Sequence, residues 1–531
     1  MTDQEDQQRR LIEALKQPEA YPHPADSVEC IETHISWVFL AGAYAYKLKK
    51  PLNLGFLDFS TLERRRFFCE EELRINRRLA PDLYQAVVGF SGEPEAPDFD
   101  GAGEPFEYAV RMARFDHTRE MDKLLERGEL PLAWMDELAE CVADFHDRIP
   151  RAQPDSKLGA PAAVCAPMKD NFEQLRPRIL VPERLEQLHR LGQWTHDACN
   201  RLETTLDERH RQGFVRECHG DMHLGNMAHV DGRVLVFDGI EFSEALRWID
   251  IISEVAFVTM DLLDRDATPH AHRFLNAWLE RTGDYDGLRL LRFYQVYRAM
   301  VRAKVSGIRM TQEGLSDGER RRSEENCHDY LDLAESLTRP GSPALFINHG
   351  LSGSGKTTRS QTLVEELGLI RVRSDVERKR LAGLESGDRD RSGVGAGIYS
   401  RDMGEKTYTH LLDLAGRLLE AGFAVVVDAT FLERGRRDRF AGLAARLGVP
   451  FCILDYRAPV EVLRKRIRER ESEDRDASDA GLAVLEHQLQ TAEPPGADEP
   501  VVAIDTEKDR LPLEDIKRRM ASPDAIMDPI P

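Results

Sequence analysis

Residues 218–242 hold the side chains whose types and spacing point most directly to chemistry: Asp221, Asn226 five positions on, and Asp238 after the apolar run 234–237. Phosphoryl transfer to a hydroxyl needs one carboxylate to orient or accept the proton. It also needs two oxygen ligands to hold magnesium against the nucleotide phosphates. Asp221 suits the first role, and Asn226 and Asp238 suit the second as metal ligands. Reading His219 and His223 as a metal pair fails for want of a third ligand at conventional spacing.

A second chemical centre lies further on, where the apolar run 344–349 leads into Gly350-Leu351-Ser352-Gly353-Ser354-Gly355-Lys356-Thr357-Thr358. This is a complete phosphate-binding loop between an expected strand and an expected helix. Its glycines let backbone amides curl around phosphate oxygens, with Ser352, Ser354 and Thr358 completing the cradle. Lys356 reaches the β- and γ-phosphates, and Thr357 is expected to ligate magnesium. Two further strand ends follow, at Ser374-Asp375 with Arg378 one helical turn later, and at Asp428-Ala429-Thr430. Functional groups of open α/β sheets gather at such carboxyl ends. Arg466 and Arg470, at i and i+4 on a charged helix, suit a lid that closes over the transferring phosphates.

Several elements must position these groups. Residues 32–50 alternate around a Gly42-Ala43 turn and predict a hairpin that puts Lys47 and Lys49 on one face. Lys47 fits a phosphate-holding lysine best, with Lys49 as the alternative. A helix capped at Ser60 or Thr61 carries Glu70, Glu71 and Glu72, of which Glu72 is favoured as the lysine's partner. Residues 106–115 predict a strand that reaches a hinge, with Met112 beside the adenine. The Pro- and Gly-rich stretch 151–167 reads as an extended loop. Asp250 is expected to anchor the catalytic loop. Glu241 either approaches the metal or is a surface charge. Arg298, Arg302 and Lys304 form a basic stripe that would face an acceptor carrying phosphate or carboxylate.

A chain of 531 residues with 41% hydrophobic and 31% charged residues is expected to form about three folding units, two of them lobes of one enzyme. No run is long and apolar enough to span a bilayer, and the N-terminus lacks a secretion pattern, so a cytoplasmic location is expected. Eight dispersed cysteines without a Cys-x-x-Cys predict reduced thiols. Of the net charge of −21, residues 1–340 carry −17, with 44 Lys and Arg against 61 Asp and Glu. That surface repels nucleic acid backbones. The remaining −4 leaves a polynucleotide 5′-hydroxyl as an alternative acceptor for the second module only.

The pattern His219-Gly220-Asp221-x-His223-x-x-Asn226 resembles the aminoglycoside phosphotransferase and choline kinase superfamily. Together with YKLKKPLNLGFLDFSTLERRRFFCEEEL and FDGIEFSEALRWIDIISEVAF, it is similar to bacterial proteins in which an aminoglycoside phosphotransferase-like kinase is fused to a P-loop ATPase. The second region resembles AAA-type P-loop kinases of the polynucleotide kinase, zeta-toxin and gluconate kinase group. By that resemblance Asp375 would activate an acceptor hydroxyl, Arg378 would orient substrate or phosphate, and Asp428 would touch magnesium through water or bind substrate.

The expected fold is an α+β two-lobed kinase-like domain at 1–340, with a small lobe to about 115. An α/β P-loop domain with a parallel sheet follows at 341–510, then a tail at 511–531. The expected cofactors are ATP and Mg2+, and the expected partners are small-molecule hydroxyl acceptors without membrane. The oligomeric state stays open.

Overall fold

The computed structural model describes residues 3–55, 57–312, 314–384, 397–473, 481–508 and 511–521. The chain packs as two compact units, and the division is not a single cut. The first unit comprises residues 1–264 and 293–335, the second 265–292 and 336–531.

The first unit begins with a six-stranded antiparallel sheet: β1 (Val28–Glu32), β2 (Ser36–Ala41), β3 (Tyr44–Lys49), β4 (Tyr84–Glu93), β5 (Ala96–Phe99) and β6 (Glu107–Ala113), in the order β1-β2-β3-β6-β4-β5. The period of two in β3 sorts its side chains. Tyr46 and Leu48 join Phe39, Phe90, Leu11 and Leu15 in a core beneath helix Asp3–Leu15. Lys47 and Lys49 take the opposite face, towards Glu72 on helix Leu62–Asn76. Thr61 caps that helix by accepting from Arg64 N at 3.3 Å, and Cys69 seats it against Leu83, Tyr84 and Val110.

The rest of the first unit is mainly helical and frames two short ribbons. β7 (Val215–Glu217) pairs with β10 (Trp248–Asp250), and β8 (Met227–Val230) pairs with β9 (Arg233–Val236). The chemically loaded loops lie at the ends of these ribbons: residues 218–226 follow β7, and residues 237–247 run from β9 towards β10. Buried helix Ile251–Asp264 supports both.

Two expectations change here. Helix Pro161–Leu175 takes the last seven residues of the stretch read as extended, and Pro161 in its first turn removes only an N–H that lacks a helical partner anyway. The cysteines are not all free thiols: Cys165 on this helix and Cys199 on helix Pro182–Arg211 form a disulfide, with Cα atoms 6.2 Å apart. Thirty-four residues separate them in sequence, so dispersion along the chain did not exclude proximity in the fold.

The second unit is built on a five-stranded parallel sheet: β11 (Leu345–His349), β12 (Ile370–Arg373), β13 (Val425–Asp428), β14 (Phe451–Arg457) and β15 (Val501–Asp505), in the order β12-β13-β11-β14-β15. One face packs Phe346, Val426, Leu454 and Ile504 against Leu363 of helix Lys356–Leu367. Helix Thr268–Thr282, from the middle of the sequence, covers the exposed edge of β12. Its Asn276 donates Nδ2 to Leu369 O at 3.2 Å and accepts from Arg371 N at 2.7 Å, as a neighbouring strand would. The edge thereby loses its unpaired groups. Glu280, one turn along the helix, takes Arg371 and Arg373 as ion partners.

No helix among the described residues is long and apolar enough to cross a membrane. Asn276→Leu leaves two buried backbone groups unpaired, at a cost of about 1–3 kcal/mol each. Urea denaturation should place the loss in the transition of the second unit, and an unchanged midpoint would refute the edge-capping role.

Candidate functional site

In the first unit, four buried or nearly buried charges meet between β3, helix Leu62–Asn76 and the loop after β9. Glu72, 0% exposed, receives Lys47 at 2.9 Å and Lys49 at 2.6 Å. Lys49 also pairs with Glu241, and Lys47 also contacts Asp238. Glu70 and Glu71 lie elsewhere on the helix, paired with Arg66 and Arg74. Both lysines therefore share one carboxylate. Glu241 is buried and paired with Lys49, so it is not a surface charge.

Opposing charges outweigh burial at Glu72 and Lys47, whereas burial prevails at Glu241 and raises its pKa. Burial would raise Glu72, but Lys47 and Lys49 bring it down to about 2. Burial would lower Lys47, but Asp238, Glu72 and Glu241 hold it well above the usual lysine value.

Two supports fix the loop that carries Asp221. Glu254 accepts from Gly220 N at 2.6 Å and pairs with His146 at 3.1 Å. Arg298 donates Nη1 to Gly220 O at 3.0 Å. Asp250, expected to anchor this loop, instead takes Arg209 through both carboxylate oxygens, at 2.7 and 2.8 Å. Glu254, one turn further on, reaches the loop in its place, and Asp261 on the same helix accepts from Leu224 N at 2.9 Å.

His219 then ties this loop to the next. Its Nδ1 accepts from Asp221 N at 3.3 Å, which requires the Nε2–H tautomer that donates to Phe237 O at 3.0 Å. Burial lowers its pKa and so keeps it neutral. Its carbonyl also accepts from Ile240 N at 2.9 Å.

Asp221 sits 3.6 Å from His223, its side chain 39% exposed. Burial of its surroundings would raise its pKa, but His223 and Arg302 hold it below the usual carboxylate range. The group is ionised at neutral pH, suited to orienting a hydroxyl. Asn226 donates Nδ2 to Asp221 O at 3.0 Å and to Asp221 Oδ2 at 3.2 Å, which leaves its amide oxygen as the remaining acceptor.

Asp238 adopts a left-handed backbone, φ 61°, and presents a half-exposed carboxylate. Such a conformation is costly for a non-glycine residue and is held here by bonds from Asp238 N to Tyr84 Oη and from Gly239 N to Asn76 Oδ1. Two oxygen donors beside a lysine fit a hard divalent cation. Met112, on β6, packs beside Phe237 and Tyr84.

The basic stripe divides. Arg298 is buried against the backbone of the loop, Arg302 donates to Tyr330 Oη at 3.3 Å and acts on Asp221, and burial lowers Lys304.

In the second unit, the loop from Gly350 to Lys356 needs glycine for space. A Cβ on Gly350 would lie 2.8 Å from Ser354 Oγ and Tyr456 O, and one on Gly353 2.9 Å from Leu463 O. Gly355, also at positive φ, caps helix Lys356–Leu367. Lys356 Nζ lies 2.8 Å from both Gly350 O and Leu351 O, and Ser352 N donates to Gln488. Thr358 is exposed at the first turn.

Thr357 donates its hydroxyl to Asp428 Oδ2 at 2.9 Å, while Asn348 fixes Asp428 Oδ1 at 2.9 Å. This hydroxyl and carboxylate form a hard oxygen pair suited to magnesium. Asp375 and Arg378 meet each other at 2.8 Å, so each neutralises the other. Arg466 donates to Thr506 Oγ1 at 2.9 Å and Thr506 O at 3.1 Å, close to Gly353 O. The side chain of Arg470 lies outside the described residues.

Sequence reading missed Thr506, because only the fold carries the end of β15 to the phosphate loop. It also missed His349, whose Nδ1 is 2.7 Å from Asp455, since the partner strand lies 106 residues on. Arg371, Arg373 and Arg380 are matched by Glu280 and Glu377.

The first unit thus joins an antiparallel sheet to a mainly helical part, and the second sets a glycine-rich loop at the end of a strand of its parallel sheet. Residues 345–495 match the AAA domain family. The chain is 29% identical over 466 residues, 86% of its length and 89% of theirs, to uncharacterized proteins of Mycobacterium tuberculosis and Mycobacterium bovis. Among solved structures it is similar to a Plasmodium vivax ethanolamine kinase, with 11% identity, 64% of this chain and 96% of that one covered and a TM-score of 0.40. It is also similar to a Sinorhizobium meliloti gluconokinase, with 24% identity, 34% and 90% covered and a TM-score of 0.23.

The depressed pKa of Glu72 carries a pH signature. Its stabilising effect is fully present above the ordinary glutamate value of 4.5 and is lost as pH falls through about 2. Glu72→Gln should destabilise the first unit by about 3–5 kcal/mol at neutral pH. Denaturation along a pH series should show the gap to wild type narrowing towards pH 2, and a constant gap would contradict the assignment.

Proposed function

We propose that the chain is an ATP-dependent phosphotransferase with two nucleotide-handling centres, the first of which phosphorylates a hydroxyl of a small molecule. The observation that supports this reading is that Asp221 with Asn226 on one loop, and Asp238 in contact with Lys47 of β3 on the next, are braced by His219 and Glu254.

In this reading Asp221 accepts a hydrogen bond from the acceptor hydroxyl and orients the oxygen for in-line attack. Lys47 turns from Asp238 to the nucleotide phosphates while Glu72 keeps its position through Lys49. Asn226 and Asp238 would hold magnesium, which when bound neutralises charge on the transferring phosphate. Met112 lines the adenine side.

In the second centre the amides of Gly350 to Gly355 and the Lys356 ammonium cradle phosphates. Thr357 and Asp428 would hold the metal, and Arg466 steadies the loop from the Thr506 side. Asp375 serves as the acceptor-side base once substrate draws Arg378 away. With Arg371, Arg373 and Arg380 already paired, a small molecule suits this centre better than a polynucleotide. Cytoplasmic action accords with this chemistry.

The test is a mass-resolved screen of a metabolite library with ATP and magnesium, using Asp221→Asn and Lys356→Ala. Each variant should lose one class of phosphorylated product by at least ~100-fold and retain the other. Unchanged products in both variants would overturn the proposal.

A further inference from the structure

Behind the loop that carries Asp221, the first unit holds a partly open cavity of about 30 Å³, walled in part by Gly159, Val164, Trp248, Ser253, Tyr294 and Arg298. That volume admits about two waters, or one carboxylate-sized group. Tyr294 and Arg298 stand one turn apart on helix Leu288–Arg309, so both reach the same wall.

Arg298 is 5% exposed. It gives one hydrogen bond to Gly220 O and one to Ser253 Oγ at 3.1 Å, and it lies over the rings of Phe257 and Tyr297. No carboxylate of the described residues lies within ion-pair distance of it, and its Nε is buried without a hydrogen-bond partner. Tyr294 is 2% exposed, and its Oη is likewise buried and unpartnered. A buried guanidinium without an anion is costly, and so is an unpaired buried phenol. Water could satisfy the hydrogen bonds but supplies no charge. An oxyanion supplies both.

We propose that this cavity is a binding site for a small carboxylate-type oxyanion, held by Arg298 Nε and Tyr294 Oη. The same guanidinium holds Gly220 O, next to Asp221, so occupancy of the cavity would stiffen the loop that presents the acceptor's carboxylate. The anion is either the acid group of an acidic acceptor or a free small acid. The binding claim stands apart from the phosphotransfer reading, and only the kinetic measurement below rests on it.

The test uses the full chain with sodium acetate as probe against sodium chloride at equal ionic strength. Acetate should raise the melting temperature of the wild type beyond chloride. Tyr294→Phe, which removes only the phenol oxygen, should weaken acetate binding about tenfold by calorimetry. Without acetate, this variant should melt no lower than the wild type, since an unpaired hydroxyl has gone.

If acetate then competes with the acceptor and raises its KM, the anion belongs to the acceptor. If it alters kcat without competition, the anion is a free effector. An acetate response equal to that of chloride, or identical affinity in Tyr294→Phe, would overturn the site whether or not the chain transfers phosphate.

Discussion

Glu72 has to be paired wherever this chain folds, because a carboxylate with no exposure to water is tolerated only beside compensating charge. Lys47 and Lys49 supply that charge from one strand, and Glu241 balances the surplus. The arrangement requires β3 to alternate correctly, helix Leu62–Asn76 to lie on that face, and the loop after β9 to return beneath it. Sheet, helix and loop are therefore locked together by one electrostatic condition. In the proposed function, Lys49 keeps Glu72 fixed while Lys47 exchanges partners between Asp238 and a phosphate.

The two centres solve the same problem with different backbones. In the first, irregular loops hold the oxygen ligands, so their shape has to come from elsewhere: the imidazole of His219, the carboxylate of Glu254 and the guanidinium of Arg298 provide it. In the second, a parallel sheet delivers the ligands at strand ends, and a helix N-terminus and glycine amides do much of the work. Asn348 and Thr357 need only align Asp428. The first centre spends buried polar side chains where the second spends glycines.

Local pattern was the part of this architecture that the sequence made legible. The hairpin at 36–49, the capped helix after Thr61 and the strand before Gly350 all announce themselves through periodicity and turn residues. The inward position of Glu72, as against Glu70 and Glu71, was readable from its apolar neighbours. Partners fixed by distant segments were not readable. Asp250 ends β10 and Glu254 lies in the first turn of the helix that follows, and nothing local says that Arg209 claims the first while Gly220 claims the second. Helix Thr268–Thr282 looks like any amphipathic helix until Asn276 is seen bridging the edge of β12. Asp375 and Arg378 suggested separate roles, yet their spacing of three also lets them neutralise each other. Thr506 reaches the phosphate loop only because β15 is the fifth strand of that sheet.

In the proposed function, one chain holds two separate nucleotide centres. Equilibrium dialysis with a non-hydrolysable ATP analogue and magnesium tests it most directly. Two analogue molecules should bind per chain, falling to one in Lys356→Ala. A stoichiometry of one in the wild type would contradict it.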